Sequence, residues 1–398
     1  MRFMRVGLAG GVSLLLSAGL VGASIGGASA AVRATSTPSI SVSSFNNSFS
    51  AMKSLTGVTA AGKGKVAAIL PDTVSSTRYV EFDAPDITRA LSTAGLSSSQ
   101  FVVQNALGSD ATQLTDAQTD ISNGATVLLV DPLDSGVGAQ IESYAKARGV
   151  KVIDYDRLTL GGTRAYYVSF NNVRVGTLLG DGLVSCVAAW HIKHPQVIVM
   201  HGAVTDNNAT LFADGYDAVL NPYFKSGKWT VVAHTAGTWD PPTNLTEFQA
   251  VYTAHPNVNA VLVPNDENNA PIITYLQSLH VKPKTIPTTG QDATLTGLQN
   301  VLSGYQCGTV YKPIYREAQA AVALALYLRA GKTPPKSLVN GTTEDTVSSV
   351  SVPSSLQTPE WVTTSNMNAT VIKDNFVPAS QLCVGSYASD CKAAGITP

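Results

Sequence analysis

Short apolar runs of strand length alternate with amphipathic stretches along most of this chain, starting at Lys65. VAAILP is followed by a helical pattern around Phe82 to Ala94, then FVVQNAL, then a second helical pattern ending at Asn123. TVLLVDP, the helix-like IESYAKARG and KVIDYD continue the scheme. Strands separated by helical segments of about ten to fifteen residues predict a parallel sheet covered on both faces. YYVSFNN interrupts the rhythm, and a second series follows with strands at QVIVMHGA, WTVVAHT, AVLVPND, TIPTTG and CGTVYKP. Two series of this size suit two similar α/β lobes better than one sheet. After Lys312, EAQAAVALALYLRAG reads as a strongly apolar helix, and from Val347 the chain returns to strand-like and loop-like character.

Polar residues recur where these predicted strands end. Arg78 and Tyr79 follow the first strand, Asp156 and Arg157 follow KVIDY, and Asn207 and Asn208 follow the VMHGAV strand. Trp239 and Asp240, Asn265 and Asp266, Gln291 and Asp292, and Lys312 occupy the corresponding places in the second series. Open α/β sheets bind ligands beyond the carboxyl ends of their strands. One such pair is ordinary loop chemistry, whereas repetition at equivalent positions predicts a cleft between lobes. Carboxylates, amides and cationic donors in mixture suit sugar hydroxyls, which both donate and accept hydrogen bonds. Tyr79 and Trp239 offer flat apolar surfaces for the C–H faces of a pyranose.

Composition narrows the classes. Only 13% of the 398 residues are charged and the net charge is −1, so no basic footprint for nucleic acid exists. Residues 1–30, with two arginines in MRFMR, an apolar run and Ala28-Ser29-Ala30, read as a signal peptide, placing the protein outside the cytoplasm. No cysteine near this site supports a lipid anchor. Residues 31–64, rich in Ser, Thr, Ala and Gly, read as a mobile spacer. Cys186, Cys307, Cys383 and Cys391 permit two disulfides in three connectivities, and the closeness of Cys383 to Cys391 favours a short loop between them. Their spacing fits no zinc template, and no cofactor is expected.

Several stretches together resemble the periplasmic-type sugar-binding proteins of ABC transporters, in particular the D-xylose-binding branch. They are VIDYDR, VTDNNATLF, TGQDA, TVYKP, the Arg78-Tyr79 pair, VPSSLQTPEWV and TVIKDNF, covering about Lys65 to Leu382. The resemblance implies a type I periplasmic binding protein fold of two Rossmann-like lobes with parallel sheets, joined by a three-segment hinge near Ser169, Pro313 and Val350. The N-terminal lobe would hold residues 65–168 and 314–350, the C-terminal lobe 169–313 and 351–385, with 386–398 as a tail. Arg78, Asp156, Arg157, Asn208, Asn265, Asp292 and Lys312 would contact a monosaccharide, Tyr79 and Trp239 would stack on it, and Asn207 and Asp266 would brace them. An ABC permease would receive the loaded protein, and a chemoreceptor or sensor kinase is the alternative partner. Ala213 stands where the branch usually has arginine, and Tyr79 replaces a larger indole, so xylose, glucose, galactose and arabinose all remain open. Losing a charge-assisted bond at position 213 would cost roughly 1.5–3 kcal/mol unless water or a larger sugar filled the gap.

Rival classes find less support. The GxSxG match at Gly22 to Gly26 falls within the signal peptide, and GVTAAGKG lacks the Ser or Thr of a P-loop and a preceding strand. A secreted carbohydrate-active enzyme would need a carboxyl poised for proton transfer. Asp156 and Asp292 instead sit among cations and amides that keep carboxylates ionised. A sugar-responsive transcription regulator would carry a helix-turn-helix where this chain has an export signal.

Overall fold

The computed structural model describes residues 40–397, so the expected signal peptide and the first part of the expected spacer lie outside the described residues. The first series gives β1 (Lys65–Leu70), β2 (Phe101–Asn105), β3 (Ala125–Val130), β4 (Lys151–Tyr155) and β5 (Tyr166–Phe170). The second gives β6 (Gln196–Val199), β7 (Thr230–His234), β8 (Ala260–Leu262), β9 (Gly290–Gln291) and β10 (Thr309–Tyr311). The chain closes with β11 (Gly341–Asp345), β12 (Val350–Gln357) and β13 (Glu360–Val362).

In the first lobe the strand order is β11-β12-β5-β4-β3-β1-β2, parallel except for β11 at one edge. Alternation along β1 sends Val66, Ala68 and Leu70 to one face and Ala67 and Ile69 to the other, each into its own buried cluster. The helix Ile314–Arg329 covers the first face and is buried nearly all round, as its largely apolar sequence favours. In the second lobe β7-β6-β8 and β13-β10-β9 form two short sheets linked by a bridge between Val261 and Thr288. Pro287 lies beside that bridge and has no N–H to extend the ladder, although its carbonyl accepts from Val261. Val197 and Val199 face one core and Ile198 and Met200 the other.

The chain crosses between lobes after Phe170, at Lys312 and Pro313, and between Gln357 and Glu360. The third crossing comes later than the expected Val350, because β12 runs on beside β5, pairing Ser354 with Tyr167 and Gln357 with Phe170. Residues 386–398 are also more than a tail. A helix over Tyr387–Ala393 buries Cys391, and Ile396 follows it into the second-lobe core. The disulfides are Cys186–Cys307 and Cys383–Cys391, both within the second lobe.

The spacer reading fails from Ile40 onward. Helical turns over Ser50–Leu55 and Thr56–Ala61 bury Met52, Leu55 and Val58 in the first-lobe core, together with Ile40, Phe45 and Phe49. Apolar residues at 45, 49, 52, 55 and 58 recur at three- and four-residue steps, a helical stripe among serines and threonines. Arg89 lies 4.3 Å over the Phe49 ring, Gln319 donates to the Asn46 carbonyl, and Asn47 donates to the Asp374 carbonyl of the second lobe. Leu55→Ala should therefore destabilise the protein by about 2–5 kcal/mol. Denaturant unfolding measures this, and an unchanged midpoint would return the segment to spacer status.

Candidate functional site

The carboxyl ends of both lobes' strands face one cleft. After β1, Asp72 accepts the backbone N–H groups of Val74 and Ser75 at 2.8 and 2.7 Å, folding the loop that carries Ser75, Ser76, Arg78 and Tyr79. After β4, Asp156 adopts the left-handed region with φ 57°, a conformation that aspartate tolerates better than most residues. Its carbonyl accepts from Tyr167, Ser169 and Asn208 at 2.8, 2.8 and 2.9 Å, which pins the strained turn. The second lobe repeats the device, with Asp292 beyond β9 at φ 90°.

All nine side chains expected to contact or stack on a ligand line this one cleft. They are Arg78, Tyr79, Asp156 and Arg157 from the first lobe and Asn208, Trp239, Asn265, Asp292 and Lys312 from the second. Ser75, Ser76, Asp206 and Phe212 line it too and escaped the sequence reading, and Gln291, noted there at a strand end but not among the expected contacts, lines it as well. Asn208 and Phe212 are four residues apart on the helix Asn207–Lys225 and share a face, a signal that was available. Asn207 and Asp266 lie outside the lining. Asp266 braces the second lobe by accepting from Gln306, Thr294 and Thr309 at 2.7, 3.0 and 3.0 Å.

Two of the positions named in the sequence have distinctive surroundings. Arg78 was expected to contact ligand, yet four of its five N–H groups are donated to Asp83, Asp156 and Glu317. Its geometry is that of a brace for Asp156. Ala213 was expected to remove a donor from the site, but it lines a neighbouring groove with His201, Gly202 and Thr235.

The remaining polar groups form one connected set. Tyr79 donates to Asp156 at 3.0 Å and accepts from Arg157 at 3.1 Å, and Arg157 also reaches Ser75 at 3.2 Å. Tyr79 is thus held by its hydroxyl, with Arg78 and Arg157 at 5.5 and 5.6 Å from its ring centroid. Burial alone would raise the Asp156 carboxyl, but Arg78, Lys312 and Arg157 outweigh it and hold the group below its ordinary value. Lys312 pairs with Asp292 at 2.9 Å. Gln291 donates to the Pro264 carbonyl while its buried side-chain oxygen has no protein partner.

The lobes are closed on each other. Asn265 donates to the Ser75 carbonyl at 3.1 Å, and Glu267 accepts from the Thr77 N–H at 2.9 Å. The Ser76 hydroxyl lies 3.0 Å from Glu267 and 3.1 Å from Asp292. One hydroxyl can donate to only one of these carboxylates. A proton on Glu267 resolves the conflict, with Glu267 donating to Ser76 and Ser76 to Asp292. Consistent with this, burial, followed by the charges of Asp292 and Asp266, pushes Glu267 up to about 8.

This architecture defines a two-lobed binding protein, and the comparisons name its family. Residues 67–333 match the periplasmic binding protein domain, and the chain belongs to that family. It is 35% identical over 284 residues to the D-xylose-binding periplasmic protein of Escherichia coli, covering 70% of this chain and 82% of that one. It is 30% identical to the multiple sugar-binding periplasmic receptor ChvE of Rhizobium radiobacter, covering 81% and 93%. Among solved structures, an ABC transporter solute-binding protein from Clostridium phytofermentans with bound β-D-glucose superimposes with TM-score 0.72. It is 26% identical, with 80% and 99% covered. The fold is that of type I periplasmic binding proteins.

The Glu267 proton has a measurable consequence. Its value rises from 4.5 to about 8 on folding, so its contribution is fully present below pH 4.5 and is lost as pH climbs toward 8. Stability measured across this window should fall with pH more steeply in the wild type than in Glu267→Gln. Parallel curves would remove the proton from the seam.

Proposed function

We propose that this protein captures a neutral monosaccharide, D-xylose or a related aldose, by lobe closure outside the cytoplasm and delivers it to an ABC permease. The observation that carries this reading is the charge balance of the cleft: Arg78, Arg157 and Lys312 face Asp156, Asp206 and Asp292. Each sign is answered within the protein, which favours a polar ligand without net charge over an anion or cation. The set also supplies donors and acceptors from both lobes, so a bound polyol would stabilise the closed form by touching both at once. The relatives named for D-xylose and for multiple sugars, and the glucose-bound neighbour, support the same class.

Export fits the basic and apolar N-terminal residues and the two disulfides, which form in oxidising compartments. A sensory role through a chemoreceptor or sensor kinase is the second reading, favoured by the relative whose name includes receptor. Carbohydrate cleavage is disfavoured because Asp156 is held ionised and Asp292 is paired with Lys312, arrangements suited to gripping a ligand without proton transfer.

A thermal-shift panel of neutral pentoses and hexoses tests the proposal. A sugar present at a hundredfold over its Kd should add about 2.7 kcal/mol to stability. Absence of any shift across the panel would overturn the substrate class, and recovery of a chemically altered sugar would overturn the non-enzymatic role. Trp239→Ala should weaken binding of the responding sugar at least about tenfold through loss of the aromatic surface. Isothermal titration checks this, and unchanged affinity would remove Trp239 from the contact set.

A further inference from the structure

We propose that Asp206, seated on Trp239 and assisted by Gly202, is a positioning residue that fixes the indole plate and links it to Arg157 of the opposite lobe. This rests on the reading above that Trp239 faces the sugar.

The Asp206 carboxylate is itself fixed. One oxygen accepts the Asn208 N–H at 2.9 Å, which caps the helix Asn207–Lys225, and the residue is only 5% exposed. Its other oxygen accepts the Trp239 indole N–H at 3.0 Å and lies 3.6 Å from the Arg157 Nε. Arg157 belongs to the first lobe and Trp239 to the second. One carboxylate oxygen thus serves the aromatic surface of one lobe and a cation of the other, and the second contact exists only when the lobes meet. Asp131 also approaches Arg157 Nε, at 3.7 Å, but from the first lobe, so it holds the guanidinium without linking the two sides.

Gly202 supplies the floor. A Cβ there would stand 2.2 and 2.4 Å from two carbons of the Trp239 six-membered ring, so the indole lies directly on the bare backbone. Backbone conformation does not demand glycine at this position, which leaves close approach as the physical reason. Phe212 meets the indole edge-on, with centroids 6.4 Å apart and planes at 71°. The indole is therefore restrained at its N–H, beneath its six-membered ring and at its edge.

Three variants separate plate from charge. In Asp206→Asn a single amide oxygen remains for two N–H donors, so the helix cap and the indole N–H cannot both be served, and the charge facing Arg157 is gone. Asp206→Ala loses both, and Gly202→Ala displaces the indole while keeping the charge. The ligand-free near-UV circular dichroism of Trp239, assigned by subtraction of Trp239→Phe, should change in both Asp206→Ala and Gly202→Ala. With D-xylose and D-glucose as probes, affinity should fall roughly ten- to a hundredfold in Asp206→Ala and less in Asp206→Asn. An unaltered Trp239 signal in both Asp206→Ala and Gly202→Ala overturns the positioning role, whatever the probes do. Wild-type affinity in Asp206→Ala beside impaired Trp239→Ala also overturns it while sparing the site. Wild-type affinity in Trp239→Ala overturns the reading on which the inference rests.

Discussion

Asp156 is the carboxylate around which the cleft is built. Moving an ion out of water costs on the order of several kcal/mol, so a buried carboxylate persists only where partners replace the lost solvation. Asp156 receives a guanidinium N–H from Arg78 and a phenol O–H from Tyr79, while Lys312 and Arg157 add their fields. Arg78 is in turn neutralised by Asp83 and Glu317, which sit deeper still. The network is therefore ordered by depth, from carboxylates behind Arg78, through Arg78 and Asp156, to Arg157 at the cleft wall. Each layer fixes the one nearer the ligand.

The second lobe reaches the same end by simpler means. Asp292 and Lys312 form one ion pair at the ends of β9 and β10, and Asp266 behind them gathers hydroxyl, amide and backbone donors rather than a cation. The first lobe is consequently the electrostatic anchor, while the second carries the indole, the amides and its side of the hydrogen-bonded seam. A neutral ligand suits this division, since at the cleft wall Arg157 and Lys312 each already face a carboxylate.

How much of this was written in the sequence depends on the range over which each signal acts. Strand and helix alternation is local, so the two lobes and the polar residues at their strand ends could be read directly. Glu317 could not, because it meets Arg78 across the fold from a distant helix, whereas Asp83, five residues on from Arg78, was near enough to notice but carried no strand-end signal. Phe212 was readable from its spacing to Asn208 but was eclipsed by polar neighbours. The stretch from Ile40 was misread because its Ser and Thr content outweighed the spacing of its few large apolar residues. The third crossing was expected near Val350, whereas Ser354 and Ser355 beyond it are still buried in the first-lobe sheet, whose partner strand β5 lies far back in the chain.

The placement of the cystine bridges has a mechanical meaning. Both staple the second lobe, one tying the long helix Asn172–Ala189 to the approach to β10 and the other clasping the final turns, and neither spans the hinge. Covalent stiffness is thus confined to a single jaw. Oxidation can lock that body's internal shape without adding friction to the swing between bodies, so the bite stays free while one side of the mouth is made rigid.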